Sequence, residues 1–411
     1  MTRIVGFAAS LAVVVAAALA SRSVAAAGPP TFAEDLAFLE AHAPVRVLRA
    51  PSGARVAVSA AYQGRVMTSA VDAGGASLGW INRAFIAAGK TGTAFDNYGG
   101  EDRFWLGPEG GQFGLYFAPG KPFVFAEWQT PHVLQEGAWD VKDAAADRVT
   151  FARSMNVTNY SGTRLSVDVE RTVRLLSDAE IASRLGIDPA AARTAGARWV
   201  AFETENRITN RGAEAWTKER GLPSIWILAM YTPAPDARVV VPFERNAAGP
   251  IVNDAYFGKV PADRLAVREK DGYLVFTCDG QARGKIGLPP ARAREVLGSY
   301  SASARLLTLV HYDKAKDARD YVNSMWEIQK EPYGGDVVNS YNDGSPGPGL
   351  PPLGGFYELE TSSPGAALRP GESLTHTHRT FHFVADRVAL DPIAVRVLGV
   401  SASRVAEGTA P

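Results

Sequence analysis

The stretch GGFYELETSSPGAALRPGESLTHTHRTFHF, residues 354–383, contains the strongest signals for fold and function in this chain. Its second half, SLTHTHRTFHF, alternates between side chains of two kinds, which is the pattern of a β-strand. Glu358 and Glu360 are two residues apart, so an unbroken strand places both carboxylates on one face. The pair is therefore either part of a functional site in a β-protein or a solvated strand face.

Most other periodic segments also predict strands between Gly, Ser and Pro breaks. Helical signals are restricted to residues 31–43, to 177–186, which open with the capping-box pattern Ser177-x-x-Glu180, and to 317–329. Strands and helices do not alternate, which argues against a doubly wound sheet. The sequence shows no repeat with a period of about 20–50 residues, which argues against a propeller. The chain is predicted to be all-β and antiparallel, with a few short helices. The predicted strands lie within 45–50, 54–62, 64–71, 110–118, 171–176, 198–210, 224–232, 272–278, 304–312 and 373–383.

The first 27 residues predict a secretory signal peptide. Arg3 precedes an apolar run, and Ala25 and Ala27 form an A-x-A cleavage pattern before Gly28. The alternative is a membrane anchor, but the run is short for a span of about 20 residues. We expect cleavage, a single mature domain over residues 28–411, no stable membrane insertion and a periplasmic or secreted protein. The only cysteine, Cys278, excludes an internal disulfide.

The charge balance limits the partners. The chain has 43 Lys and Arg residues against 43 Asp and Glu residues. A nucleic-acid partner requires a basic surface, and so does docking to anionic lipid, so we expect neither. We expect a monomer or a weak homodimer.

Residues 354–383 resemble the C-terminal end of galactose mutarotase-like proteins (aldose 1-epimerases), in which a strand ends in L-E-T and L-x-P-G-E opens the last long strand. ITNRGAEAW (208–216) resembles the asparagine-glycine hairpin of that fold, and NYGGEDRFWLGPEGGQ (97–112) resembles a stretch of secreted bacterial relatives. The resemblance implies a β-supersandwich of two large antiparallel sheets. It also implies a carbohydrate ligand in a cleft on one face.

The resemblance assigns a role to Glu360. In mutarotases the glutamate of L-E-T is the general base, and Glu358 would share its cleft. The same family places a histidine, the general acid, at the head of a strand in the middle of the chain. The corresponding segment here is SIWILAMYTP, which has Ile225 and Trp226 in place of that histidine.

Three of the six histidines lie in one predicted strand. His376, His378 and His382 share one face of it, opposite Arg379. They could bind zinc, donate a proton, contact a sugar or form ordinary hydrogen bonds within the core. We take His378 as a catalytic candidate and expect neither a metal nor a cofactor.

Two polar segments and one isolated histidine predict sugar contacts. Residues 333–346 present amide and carboxylate groups, which suit sugar hydroxyls but could also bind calcium or form a plain turn. Residues 98–111 combine an arginine with a tryptophan, a polar fork beside a stacking face. The candidate binding residues are Arg103, Trp105, Glu109, His132, Asn339, Tyr341, Asn342 and Asp343.

Three hypotheses of function follow. The leading one is a secreted, sugar-active protein with Glu360 as base, an isomerase or a polysaccharide-active enzyme. The alternative is a non-catalytic carbohydrate-binding or envelope-associated protein that has lost the histidine. A lyase acting on acidic polysaccharide is the third. In the first two, Arg103, Trp105, Asn342, Glu358 and Glu360 are expected to converge on one cleft.

Overall fold

The structure, a computed structural model, describes residues 29–92 and 94–408. The predicted signal peptide lies outside these described residues. The strands are β1 (Arg46–Arg49), β2 (Arg55–Ser59), β3 (Arg65–Ala70), β4 (Arg103–Gly107), β5 (Asp140–Ala144), β6 (Arg148–Thr158), β7 (Arg164–Leu175), β8 (Arg198–Asn210), β9 (Ser224–Tyr231), β10 (Arg238–Pro242), β11 (Leu265–Arg268), β12 (Tyr273–Thr277), β13 (Gly284–Leu288), β14 (Val296–Ser301), β15 (Leu306–Tyr312), β16 (Val338–Asn342), β17 (Tyr357–Ser362) and β18 (Ser373–Val384). The helices are α1 (Phe32–Glu40), α2 (Arg83–Ala88), α3 (Asp178–Leu185), α4 (Pro189–Thr194), α5 (Arg387–Leu398) and α6 (Ala402–Ala406).

The strands form three antiparallel sheets. The ten-stranded sheet has the order β11-β12-β10-β14-β15-β18-β8-β7-β6-β5, and the five-stranded sheet has the order β13-β16-β17-β9-β4. A small third sheet, β1-β2-β3, was not expected as a separate layer. The predicted all-β antiparallel fold with a few short helices is confirmed.

The two larger sheets pack face to face. Phe151 of β6 and Phe202 of β8 share one apolar cluster with Ile227 of β9. A second cluster joins Val310 of β15 to Leu359 of β17. Both clusters are buried, so this interface is the main core between the sheets.

Helices cover the other face of the ten-stranded sheet. Phe381 and Phe383 of β18 pack there against Leu390 and Ile393 of α5. This arrangement leaves the outer face of the five-stranded sheet as the place where a ligand site can form.

The strand β17 connects the core to that outer face. Leu359 points into the core, and Thr361 points the same way because strand side chains alternate. Glu358 and Glu360 therefore point to the outer face, as their spacing predicts. Both are buried there, so they do not form a solvated strand face.

Two of the three predicted helices are present. Ser177 and Glu180 form the predicted capping box of α3, and α1 begins with a second one at Thr31 and Glu34. No helix in the described part of the chain is long and apolar enough to cross a membrane.

The prediction of a helix over 317–329 is wrong. That segment is irregular, and its backbone groups bond to other segments: the carbonyl of Asp320 accepts from Gly365, and that of Tyr321 accepts from Gly335. The hairpin predicted at 208–216 is also absent. There the chain leaves β8 of the ten-stranded sheet and enters β9 of the five-stranded sheet.

Candidate functional site

A pocket lies on the outer face of the five-stranded sheet. Its floor is built by alternate residues of neighbouring strands, because only every second side chain of a strand points outward. Glu358 of β17 lies opposite Tyr341 of β16, which lies opposite Lys285 of β13. On the other side of the floor, Trp105 of β4 lies opposite Trp226 of β9.

Aromatic side chains from loops form most of the walls. The pocket spans about 480 Å³ when it is counted to its open mouth. We call it the aromatic slot, or the slot. Its aromatic lining residues are Phe95, Trp105, Phe125, Trp128, Trp226, Phe257, Trp326, Tyr341 and Phe356.

Arg103 and Glu358 form a buried ion pair on the floor. Arg103 Nη2 donates to Glu358 Oε1 at 2.6 Å, and both side chains are almost fully buried. The guanidinium carbon of Arg103 lies 4.1 Å from the ring centre of Trp105, a cation–π contact. Burial raises the pKa of Glu358 to about 8, although Arg103 lowers it and Glu360 raises it further. Glu358 can therefore gain or lose a proton near neutral pH.

Glu360 lies deeper, with no exposed surface, and its Oε2 accepts two hydrogen bonds. Lys285 Nζ donates to it at 2.8 Å, and Trp226 Nε1 donates at 2.9 Å. Burial lowers the pKa of Lys285, but the charges of Glu360 and Glu109 more than offset this, so that the pKa is raised and the amine stays protonated. Trp226, one of the two residues at which the resemblance to mutarotases predicts a histidine, is thus a hydrogen-bond donor to the predicted base.

Glu109 contributes a third carboxylate. It follows β4, lines the pocket and accepts a hydrogen bond from Trp128 Nε1 at 2.9 Å. Burial raises the pKa of Glu109, while the charge of Lys285 lowers it and that of Glu360 raises it.

Several buried polar atoms of the site have no hydrogen-bond partner among the described residues. They are Nε and Nη1 of Arg103, Nε1 of Trp105 and Oε1 of Glu360. Buried polar atoms are nearly always paired with protein, water or ligand. The floor of the slot therefore holds unsatisfied donors on Arg103 and Trp105, and the covered Glu360 keeps one unsatisfied acceptor.

The structure brings five of the sequence-predicted residues to the pocket wall: Arg103, Trp105, Glu109, Tyr341 and Glu358. Glu360 lies beside them but is covered by Lys285 and Trp226.

Three polar residues of the 333–346 segment support the surroundings instead. Asn339 Nδ2 donates to Tyr256 at 3.1 Å. Asp343 Oδ2 accepts from the backbone amides of Gly354 and Gly355. Asn342 accepts from the amide of Gly280 and donates to the carbonyl of Ala282, so it holds a turn beside the pocket.

The histidines lie elsewhere. His132 is exposed and pairs with Glu136. His378 is buried behind the five-stranded sheet: its Nδ1 lies 2.9 Å from Thr361 Oγ1, on the core face of β17. Burial lowers the pKa of His378 to about 4, so it is neutral at physiological pH.

The other two histidines of β18 also bond within the core. His376 contacts Thr361, and His382 lies between Glu101 and Thr308. Within residues 29–92 and 94–408, no group of three His, Cys, Asp or Glu side chains is placed to hold a metal ion.

Sequence reasoning did not identify Arg283 and Lys285 as site residues. Their spacing in RGKIGL, two apart at the start of a strand, is the same signal that singled out Glu358 and Glu360. Most aromatic wall residues were also missed, because they lie on loops that have no period.

Residues 30–409 match the profile of a protein family described as a family of unknown function, DUF6786. The chain belongs to the DUF6786 family. No curated protein matches it.

Solved structures similar to this DUF6786 chain include mutarotase-like proteins. A provisionally assigned aldose 1-epimerase from Escherichia coli K12 has 12% identity and a TM-score of 0.47, with 82% of this chain and 98% of that chain covered. A galactose mutarotase-like protein from Lactobacillus casei has 10% identity and a TM-score of 0.42, with 82% and 100% covered. A galactose mutarotase related enzyme from Lactobacillus acidophilus has 9% identity and a TM-score of 0.43, with 82% and 97% covered. At this similarity the likeness concerns the fold, so any chemistry must be argued from the side chains.

Proposed function

We propose that this DUF6786 protein binds a carbohydrate in the aromatic slot. The observation that carries the proposal is the combination of flat rings with unsatisfied buried donors on Arg103 and Trp105. A sugar ring presents apolar C–H faces that stack on aromatic side chains, while its hydroxyls pair with polar groups at the rim of the ring.

We further propose that Glu358 exchanges a proton with a hydroxyl of the bound sugar. Glu358 lines the slot, whereas Glu360 is covered, and a carboxylate with a pKa near neutrality is suited to general acid–base catalysis. Lys285 lies on the second strand from Glu358, with the two backbones about 9.6 Å apart, and its amine bonds to Glu360. It would stabilise negative charge that develops on the sugar oxygen.

The second candidate is a non-catalytic carbohydrate-binding protein. It is favoured by the two ion pairs, since Arg103 and Lys285 already neutralise Glu358 and Glu360. In that case the glutamates orient cations toward the sugar and no proton moves.

Proton and saturation-transfer NMR of the full mature chain with glucose, galactose, glucuronate and galacturonate separates these candidates. If Glu358 is catalytic, the protein accelerates anomer exchange of a bound sugar, and Glu358→Gln lowers that rate by about 10²-fold or more while binding persists. Binding without acceleration supports the non-catalytic candidate. If none of the four sugars binds, the carbohydrate proposal fails.

The same assay decides between the two glutamates. Glu360→Gln is measured in parallel, and Glu205→Gln, an exposed residue of β8, is the matched control with no expected effect. If only Glu360→Gln loses anomer exchange, the base is Glu360, the residue to which the resemblance to mutarotases assigns that role.

Export remains a proposal based on the first 27 residues. N-terminal sequencing of the protein from the periplasmic and extracellular fractions tests it, and a mature terminus at Gly28 is expected.

A further inference from the structure

Arg283 is a cation at the slot without a carboxylate partner. It lines the slot together with Glu109 and Lys285, yet no carboxylate of the described residues lies within 4.0 Å of its guanidinium. The other two cations of the slot, Arg103 and Lys285, are each paired with a glutamate. Arg283 therefore contributes one positive charge that no ion pair neutralises.

Aromatic rings hold this guanidinium instead. Its central carbon lies 3.6 Å from the ring centre of Phe257, 5.3 Å from that of Phe125 and 5.7 Å from that of Trp326. All three rings are walls of the slot. Stacking on rings uses the face of a guanidinium, and the N–H groups on its edge match a carboxylate in a two-point contact.

The backbone around Arg283 is fixed before any ligand arrives. Asn342 bonds to Gly280 at 2.9 Å and to Ala282 at 2.7 Å, which clamps the turn that leads into β13. Gly344 packs against the same turn, because a Cβ at Gly344 would lie only 2.2 Å from the amide nitrogen of Arg283. A residue with any side chain at position 344 would displace this turn.

Glu109 is a carboxylate that lines the slot together with Arg283. Its Oε1 is bonded to Trp128, and its burial favours the protonated form. The charge of Arg283 in turn lowers the pKa of Glu109, but no ion pair joins the two side chains.

We propose that the natural ligand is a sugar acid whose carboxylate binds Arg283 while its ring occupies the slot. This inference rests on the carbohydrate proposal and adds the substrate class. One unpaired cation matches the single negative charge of a carboxylate better than the nearly double charge of a phosphate. Asn342 is a positioning residue that acts through the turn it holds.

Isothermal titration with glucuronate, galacturonate, glucose, galactose and glucose 6-phosphate tests the inference on the mature wild-type protein. At least one sugar acid is expected to bind about 10- to 100-fold more tightly than its neutral counterpart. Arg283→Met removes the charge but keeps the stem, so it should abolish this preference for the acidic sugar. Arg283→Lys should restore part of it, and Arg164→Met, an exposed residue of β7, should have no effect.

The outcomes separate the two proposals. Equal affinity for neutral and acidic sugars, unchanged in Arg283→Met, overturns the sugar-acid inference and leaves carbohydrate binding intact. Tighter binding of glucose 6-phosphate than of either sugar acid overturns the choice of a carboxylate. Absence of binding to all five probes overturns the carbohydrate proposal itself. Thermal unfolding of each variant, with a midpoint close to wild type, shows that a loss of binding is not a loss of fold.

Discussion

Glu360 shows what one residue and its neighbours contribute at the site. Its spacing from Glu358 predicts a shared face, and the structure has both on the outer face of β17. The sequence gives no indication that Lys285 and Trp226 bond to it, because these partners lie on other strands and reach it only through strand register. The direction of a side chain follows from its own strand, whereas its hydrogen-bond partners depend on where the other strands lie.

The buried pair of Lys285 and Glu360 leads to a prediction about stability. Lys285→Met leaves the carboxylate of Glu360 buried without its charge partner, which should reduce the free energy of unfolding by about 3–5 kcal/mol. The double variant Lys285→Met/Glu360→Gln removes both charges and should recover much of that loss. Urea unfolding followed by tryptophan fluorescence measures all three proteins.

Arg148→Met is the control for that experiment. It breaks an exposed pair with Asp143, in which each side chain is 55% exposed, and should cost less than about 1 kcal/mol. A similarly small loss in Lys285→Met, or no recovery in the double variant, would contradict a buried ion pair at this position.

At the scale of elements, nine of the ten strands predicted from periodicity are present, whereas the predicted strand at 110–118 is irregular. Alternation identified β8 and β18, and β9 was identified as an apolar run that is buried on both faces. The segment 317–329 also has apolar residues at helical spacing, but its backbone is used by neighbouring loops. Hydrogen bonds from the backbone of one segment to distant loops cannot be predicted from the sequence of that segment alone.

The helix α5 was missed for a different reason. It contains Pro392, and its apolar residues lie on both sides: Val388 is 79% exposed, whereas Leu390 is buried. The amphipathic stripe that signals a helix is therefore blurred.

The position of α5 leads to the second prediction. Leu390→Ala leaves a cavity between α5 and the ten-stranded sheet and should cost about 2–5 kcal/mol in the free energy of unfolding. Sugar affinity should be unchanged under native conditions, since the slot lies on the outer face of the other sheet. Urea unfolding and sugar titration measure the two effects.

Val388→Ala on the exposed side of the same helix is the control and should change stability by less than about 0.5 kcal/mol. A matching loss of sugar affinity in folded Leu390→Ala would show that the two faces are coupled.

At the scale of the whole molecule, the slot combines parts that are far apart in sequence. The resemblance predicted that Arg103 and Glu358 meet, and they form an ion pair. It did not predict that His378 would lie behind the sheet, since the strand pattern does not tell which of two packed sheets a strand joins. The core between the sheets therefore holds buried, neutral histidines.

These histidines predict how the molecule responds to acid. Burial lowers the pKa of His376 to about 3 and that of His378 to about 4, against an unfolded value of about 6.5. The unfolded chain therefore binds more protons than the folded one between pH 6.5 and 4. The stability due to neutral burial is present above pH 6.5 and is lost as the pH falls, by up to about 1.4 kcal/mol per pH unit for each histidine. Glu358 acts in the opposite sense, because its raised pKa favours the folded state at low pH.

The histidine contribution is isolated by comparing wild type with the double variant His376→Gln/His378→Gln, which keeps polar side chains in the core but removes the titration. Urea unfolding at several pH values between 4 and 7 gives the free energy of unfolding of both proteins. The wild-type value should fall relative to that of the variant as the pH is lowered below 6.5, and the difference should be constant above pH 7. His132→Gln, an exposed residue with no role in the core, should follow the wild-type curve. A difference between wild type and the double variant that does not change with pH would mean that these two histidines titrate normally.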